Sequence, residues 1–356
     1  MEFLPEWAPN IHPLVIHFPI ALIILAFGMS IASLFVSEKW WDEQKNTLLY
    51  ILASISAIAV FYTGKSAADS IFLVTEAQTV LTEHADWALW TVWFFGLYSV
   101  LRVILHRFDL INRKAIKVVM VFLALPGLFF LYETGEYGGK MVYGYGAGTG
   151  QLLSNELEES LSTDSLVTSS SSSFIYDTND KWKWTISKNG VSELLQNFHW
   201  VSGSVSDLSP ITLQSNQNHL LQLSLKDAIN SFVTHSSYQN IQLDAYLNMD
   251  DLSGSVKLMH HFVDMDNYDY VSIDSDRTVI QGRVINGNDT IFESSSTYQT
   301  GVLFIRVVGD GTHFRGYINQ EMVVHGHGDA PNPGAVGLLI EGNGTILIDK
   351  IELTQL

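Results

Sequence analysis

Four apolar segments in the first 132 residues constrain the fold of this chain most strongly. Each is 17–24 residues long, which is the length that a helix needs to cross a hydrocarbon core of ~30 Å. Tryptophan, tyrosine or charged residues flank every segment, as is typical of membrane-spanning helices. We therefore predict a four-helix transmembrane domain over residues 1–150, embedded in a lipid bilayer, with its spans at 13–36, 47–64, 87–105 and 116–132.

The rest of the chain has a different pattern. Residues 151–173 include SLSTDSLVTSSSSS, a polar tract that predicts a linker. Residues 174–356 alternate apolar and polar positions, as in IQLDAYLNM, VIQGRVI and GVLFIRVVG, and Gly, Asn and Asp separate these segments. The predicted fold class is a membrane all-α four-helix bundle followed by an all-β antiparallel sandwich of the jelly-roll type.

Charge and composition exclude several classes of function. Residues 151–356 hold 10 Lys and Arg against 25 Asp and Glu, a net charge of -15, which would repel a phosphate backbone. Nucleic acid is therefore not expected as a partner. The chain has no cysteine, which excludes disulfides, zinc–thiolate sites, iron–sulfur clusters and covalently attached haem.

Loop charges predict the orientation of the helices in a bacterial inner membrane. Lys39 and Lys45 follow the first span, and four basic residues surround the loop at 107–117. The N-terminal segment and the loop at 67–83 contain acidic residues but no Lys or Arg. By the positive-inside rule, both termini and residues 174–356 are expected on the outer, periplasmic or extracellular side.

Histidines and carboxylates gather at the outer ends of the predicted helices. An ionisable side chain within a span is costly and is by default a functional hypothesis. Three interpretations are open: b-type haem held by two imidazoles, with His17 and His84 the best pair by depth; a transition metal ion; or helix capping by the histidines. The candidate haem ligands are His12, His17 and His84, and the alternative metal set is His12, His17, His84, Glu133 and Glu136.

The first half resembles the bacterial membrane family called domain of unknown function 2231. The resemblance lies in His-Pro-Leu-Val-Ile-His-Phe-Pro at 12–19, Thr63-Gly64, His84, and Gly-Gly-Lys-Met-Val-Tyr-Gly-Tyr-Gly at 138–146. Many relatives have Arg-His where this chain has Gly144-Tyr145. The resemblance implies a compact four-helix membrane module of the kind often linked to redox proteins.

The second half resembles concanavalin A-like and laminin-G-like jelly-roll modules. The matching stretches begin with GSVKLMHHFV, GVLFIRVVGDG and GAVGLLIEGNG. Members of that superfold bind sugars, bind proteins or hydrolyse glycans, so the resemblance does not by itself choose a function.

Three weaker candidates complete the list. Asp264, Asp266 and Asp269 form a calcium-type cluster of oxygens, for which a polar hairpin turn is the competing interpretation. The stretch His-Gly-His-Gly-Asp at 325–329 offers metal ligands, although a Gly-rich sequence predicts an exposed loop. Arg102 is expected to extend its charge to the membrane surface.

These features favour a subunit of a redox or envelope complex that binds haem near the outer face and contacts a cytochrome, a quinone or other membrane subunits. The alternative is a non-catalytic anchor that displays a carbohydrate- or protein-binding sandwich. A third hypothesis, a glycan hydrolase, lacks a pair of acidic residues spaced along one strand as catalytic acids would be. An enzyme activity is accordingly left open and not favoured.

Overall fold

The protein, seen in a computed structural model, is described for residues 10–36, 42–148, 174–177, 181–215 and 218–356. Its contacts separate two units, residues 1–73 with 79–162 and residues 74–78 with 163–356, called here the helical unit and the β unit. Each unit has a hydrophobic core of its own. The predicted linker at 151–173 lies outside the described residues.

Four helical segments are long and apolar enough to cross a membrane, as predicted. The first is interrupted at Ile16, because Pro19 has no N–H to donate to the carbonyl of Val15. At the start of the second, the Asp42 carboxylate accepts a hydrogen bond from the backbone N–H of Lys45. The helices are α1 (His12–Val15), α2 (His17–Ala32), α3 (Glu43–Asp69), α4 (Thr75–Arg107) and α5 (Lys114–Gly139), which continues into a π-helical turn (Lys140–Gly144).

The bundle is apolar outside and partly polar inside, as expected for a protein surrounded by lipid. Large apolar side chains such as Ile24, Leu97 and Phe122 are exposed. Ser54 and Ser99 instead lie buried between helices and are 2.8 Å apart at their hydroxyl oxygens. This distribution suits lipid, where polar groups find partners only inside the protein.

Described strands of the β unit are antiparallel wherever they pair. They run in the order β10-β9-β8-β7-β14-β6-β11-β12-β13, while β5 pairs with β3, β4 and β14, and β2 pairs with β1 and β14. The strands are β1 (Phe174–Tyr176), β2 (Trp182–Thr185), β3 (Phe198–Ser202), β4 (Ile211–Ser215), β5 (Asn218–Thr234), β6 (Ile241–Asn248), β7 (Leu252–Asp264), β8 (Asn267–Asp274), β9 (Thr278–Ile285), β10 (Asn288–Ser296), β11 (Val302–Asp310), β12 (His313–Ile318), β13 (Glu321–His327) and β14 (Ala335–Gln355). Two short helices, α6 (Gly190–Asn197) and α7 (Val205–Leu208), flank β3.

The long strand β14 joins two layers that enclose one core. Its first part, up to Gly344, pairs with β7, and its second part, from Leu347, pairs with β6. Apolar side chains of both layers, such as Val256 on β7 and Leu243 on β6, belong to the same buried cluster. The arrangement is an antiparallel sandwich, which confirms the predicted fold class.

Candidate functional site

Two of the predicted histidines are held by neighbouring helices at one end of the helical unit. His12 Nδ1 lies 3.1 Å from the hydroxyl oxygen of Thr63 on α3. His84 Nδ1 donates to the backbone carbonyl of Thr134 on α5, at 2.9 Å. The two imidazoles are close enough to interact electrostatically. His12 also forms a hydrogen bond with the backbone of Val60 on α3. Helix capping and cofactor binding both fit the contact of His84, because its bond uses Nδ1 and leaves Nε2 for another partner.

Glycines let the helices approach these two rings. A Cβ atom on Gly64 would lie 2.9 Å from the ring of His12, and one on Gly138 would lie 3.1 Å from the ring of His84. The Thr-Gly and Gly-Gly motifs noted in the sequence therefore provide room for the imidazoles.

The other members of the predicted layer lie differently. The His17 side chain is exposed, and so is that of Glu136, which forms a surface ion pair of 3.1 Å with Lys140. No three of the predicted residues of the layer, all of them described, bring ligand atoms within 4.8 Å of one another. The structure thus brings together His12 and His84, and the predicted haem pair of His17 and His84 stays a prediction.

Arg102 does not extend to the membrane surface, so that expectation was wrong. Its side chain is 1 % exposed, and Nη2 donates to Glu43 Oε2 over 2.6 Å. Lys117 Nζ lies 3.7 Å from the other oxygen of Glu43. A carboxylate 59 positions away in the sequence supplies the counter-charge, and the apolar pattern around Arg102 gave no sign of it.

In the β unit, the three aspartates of the weak calcium candidate serve separate purposes. Asp264 Oδ1 accepts hydrogen bonds from the N–H of Asp266 and the amide of Asn267, which closes the β7–β8 turn. Asp269 lies on β8, where Arg283 donates two hydrogen bonds to its carboxylate. These contacts fit a polar hairpin turn, the competing interpretation.

Asp269 belongs to a buried polar network that sequence analysis missed. His260 and His261 follow each other on β7, and their Nδ1 atoms are 2.7 Å apart because a bulge turns both rings inward. Burial and the neighbouring His261 lower the pKa of His260 to about 3. Burial alone would raise the pKa of Asp269, but its contacts with His261 and Arg283 outweigh that effect and lower it to about 2. A neutral His260 and an ionised Asp269 therefore coexist within the fold.

Aromatic and charged side chains alternate on the outer face of strands β14, β6 and β11. Tyr246 and Phe304 face each other across the strands, with ring centroids 4.9 Å apart. Beside them, Arg306 donates two hydrogen bonds of 2.8 Å to Asp244. We call this set the aromatic–charged band, consisting of Asp244, Tyr246, Phe304, Arg306, Lys350 and Glu352.

The band is cohesive and partly open. Lys350 Nζ lies 4.3 Å from the ring centroid of Tyr246 and 3.2 Å from a carboxylate oxygen of Glu352. Burial, together with the charges of Asp244 and Glu352, raises the pKa of Tyr246 to about 12, so its hydroxyl stays protonated at neutral pH. Tyr246, Phe304, Lys350 and Glu352 are half-buried, so part of each side chain is exposed.

The stretch at 325–329 was expected to be a loop, and this was wrong for its first three residues. His325, Gly326 and His327 end strand β13, which pairs with β12 so that His327 stands opposite His313. The alternation of histidine and glycine is a strand pattern, in which the two histidines share a face. His313 was missed because it lies 14 positions from His327, and the β12–β13 turn between them, Asn319–Gln320, contains no glycine.

One family model and several solved structures are similar to parts of this chain. No curated protein matches the sequence. Among solved structures, a carbohydrate-binding module, CBM66 of Bacillus subtilis, is 14% identical and covers 43% of this chain and 94% of its own, with a TM-score of 0.35. A β-glucanase of Bacillus licheniformis is 7% identical over 52% of this chain and 100% of its own, with a TM-score of 0.38.

A third similar structure is a Bacillus subtilis protein of unknown function with a galectin-like fold, 12% identical over 44% of this chain and 98% of its own (TM-score 0.35). For the N-terminal part, the resemblance proposed from the sequence is confirmed: residues 8–151 match the family model described as "Predicted membrane protein (DUF2231)".

Proposed function

We propose that this protein is a membrane anchor that presents a glycan-binding β domain at the outer face of a bacterial inner membrane. The observation that carries the proposal is the aromatic–charged band. Its paired rings offer apolar faces against which the C–H face of a sugar ring packs, and the half-buried Lys350 and Glu352 offer a donor and an acceptor for hydroxyls. The outer location follows from the loop charges of the helical unit.

The charges of the band and of the surrounding residues indicate which class of sugar the proposed site binds. Within the band, Arg306 and Lys350 offset Asp244 and Glu352, so the binding face itself is close to neutral. The surrounding half of the chain has a net charge of -15 and repels polyanions over about a Debye length of 8 Å at physiological salt. The favoured ligand is therefore a neutral oligosaccharide rather than a sulfated or uronic acid polymer.

The test is a binding screen of full-length protein in detergent against an array of neutral and acidic glycans. Wild-type protein is expected to retain neutral glycans, and Tyr246→Ala combined with Phe304→Ala is expected to abolish retention. Tyr298→Ala is the matched control, because Tyr298 is 94% exposed and lies outside the band. Retention of no glycan, or equal retention by the double variant, contradicts the proposal. Release of shortened glycan from the array would instead support a hydrolase.

A second candidate function, binding of b-type haem or a metal ion by the helical unit, is favoured by the hydrogen bonds of His12 and His84. The bond at Nδ1 orients the ring of His84 and leaves Nε2 as the ligand atom, the usual arrangement of a metal-bound histidine. Purified protein would then show a Soret band that shifts on reduction, and His84→Ala would lose it. His17→Ala tests the predicted haem pair of His17 and His84, because it removes the Soret band only if His17 is a haem ligand. Absence of a Soret band, and of any bound metal that His12→Ala combined with His84→Ala removes, contradicts this second candidate and leaves the glycan proposal untouched.

A further inference from the structure

Three histidines of the β unit converge on one point at the end of a hairpin. His313 begins β12, and His325 and His327 lie on β13. One ring nitrogen from each lies within 4.8 Å of those of the other two. Because His327 is exposed and His325 is half-buried, solvent reaches the cluster.

The strand pattern explains why these side chains share a face. Residues 325 and 327 point one way, and residues 326 and 328 point the other, toward the ring of Phe292 on β10. A Cβ atom on Gly326 would lie 2.7 Å from the Cβ atom of Phe292, and one on Gly328 would lie 3.0 Å from its ring. Glycine at both positions lets β13 lie close to Phe292, while the histidines face away from it.

Hydrogen bonds fix the backbone that bears the two histidines. The N–H of His325 donates to the carboxylate of Glu293, and the N–H of Gly326 donates to Gln281 Oε1 over 2.8 Å. On the other side, β13 pairs with β12, which places His327 directly opposite His313. A ligand set on paired strands with anchored backbones is preorganised.

We propose that His313, His325 and His327 bind a divalent transition metal ion, with zinc as the reference ion. Imidazole nitrogen is a preferred ligand of zinc, and three histidines with one open position form a known type of zinc coordination. A tetrahedral ion with bonds of about 2.0–2.1 Å holds its nitrogens about 3.3 Å apart. Since the ligand atoms already lie within 4.8 Å of one another, the rings need to close by at most about 1.5 Å.

Nearby charges favour an anionic fourth ligand. Arg315 lies opposite His325 on the same face, so its positive charge disfavours the bare cation but stabilises hydroxide or a carboxylate bound to the metal. Asp310 is paired with His313 and adds a negative charge beside the first ligand. The site is thus expected to bind a metal together with a water-derived or carboxylate ligand.

The experiment uses the full-length protein, purified in detergent without a histidine tag and treated with a chelator. Cobalt(II) is titrated in and followed by visible absorption, and zinc is then used to displace it. We expect one equivalent of cobalt per chain with the intense bands of tetrahedral coordination. His325→Ala combined with His327→Ala is expected to lose that equivalent and the bands.

Two controls locate the site. His219→Ala removes a histidine on β5 outside the cluster and is expected to retain the full equivalent. His12→Ala combined with His84→Ala is also expected to retain it, which separates this site from the helical unit. Circular dichroism of the chelated double variant at 325 and 327 checks that the fold is intact. Absence of tight cobalt or zinc binding in wild-type protein overturns the proposal, as does full binding by a folded double variant.

Discussion

The ion pair between Glu43 and Arg102 gives the sharpest test of the helical unit. The perturbation is Glu43→Gln, which keeps the shape of the side chain and removes its charge. Arg102 and Glu43 are 1% and 3% exposed, and Lys117 lies 3.7 Å from the same carboxylate. The variant therefore leaves two cations in the interior with one carboxylate fewer.

The magnitude follows from these distances. Two unit charges about 4 Å apart attract by about 4 kcal/mol at an effective dielectric constant of 20. Breaking a buried pair by removing one partner typically costs 3–5 kcal/mol, since the remaining charge loses its compensation. We expect Glu43→Gln to lower the free energy of unfolding by about 3–4 kcal/mol.

Unfolding by SDS in mixed micelles, followed by circular dichroism, measures this quantity. The control is a triple variant with methionine at positions 43, 102 and 117, which removes all three charges together. Since replacing a buried ionic cluster by apolar residues is often neutral or stabilising, we expect it to be more stable than Glu43→Gln. A loss below about 1 kcal/mol for Glu43→Gln would refute the conclusion that the carboxylate holds buried cations together.

Two further predictions concern pH and packing. The unfolded chain protonates His260 near its ordinary pKa of 6.5, whereas the fold keeps it neutral down to about 3, so the unfolded state binds more protons between these values. The free energy of unfolding of the β unit is thus expected to fall by about 1.4 kcal/mol per pH unit as pH decreases through that window. Urea unfolding at pH 7, 6 and 5 measures this slope. A slope that His260→Gln leaves unchanged contradicts the conclusion that His260 is the group responsible. In α5, a Cβ atom on Gly127 would lie 2.3 Å from the ring of Phe94. Gly127→Val is therefore expected to destabilise the bundle by about 1–3 kcal/mol in the same SDS assay. Gly96 has open space around it, so Gly96→Val is the control and is expected to cost less.

Local pattern predicted most of the elements. The four apolar helices could be predicted because lipid requires long uninterrupted apolar segments, although α4 begins at Thr75, before the predicted span at 87–105. Strand β6, Ile-Gln-Leu-Asp-Ala-Tyr-Leu-Asn, could be predicted because apolar and polar residues alternate along most of it.

Contacts between residues that are far apart in the sequence could not be predicted from local pattern. Arg102 finds Glu43 on another helix, and His313 joins His325 and His327 only because β12 and β13 pair in one particular register. Neither the packing of the helices nor the register of the strands can be derived from the local sequence pattern. For the same reason, the sequence did not show that His12, and not His17, interacts with His84.

The glycines of β14 show how a local rule fails in a specific way. The segment at 341–345, Glu-Gly-Asn-Gly-Thr, has the composition of a turn, and it predicts two strands. In the structure the strand continues through it, and the bulge at Gly342 and Gly344 bends β14 from the layer of β7 to the layer of β6. Glycine supplies the unusual backbone angles here without ending the strand.

This bend leads to a prediction about Gly342. Its φ is +125°, outside the left-handed helical region, and a Cβ atom would lie 2.2 Å from the carbonyl oxygen of Ser253. Gly311 also has a positive φ, +58°, but has nothing within 4 Å of the Cβ position. Asparagine tolerates the left-handed region that Gly311 occupies, but it tolerates neither the backbone angle nor the close contact of Gly342.

Gly311→Asn is expected to cost less than about 1 kcal/mol in the free energy of unfolding of the β unit. Gly342→Asn is expected to cost at least about 3 kcal/mol, because backbone strain of 1–3 kcal/mol adds to an overlap with backbone atoms that no side-chain rotation relieves. Urea unfolding of both full-length variants, side by side, measures the difference. Equal costs for the two substitutions would show that β14 tolerates a side chain at its bend, and that the two layers are not joined through a glycine-dependent crossing.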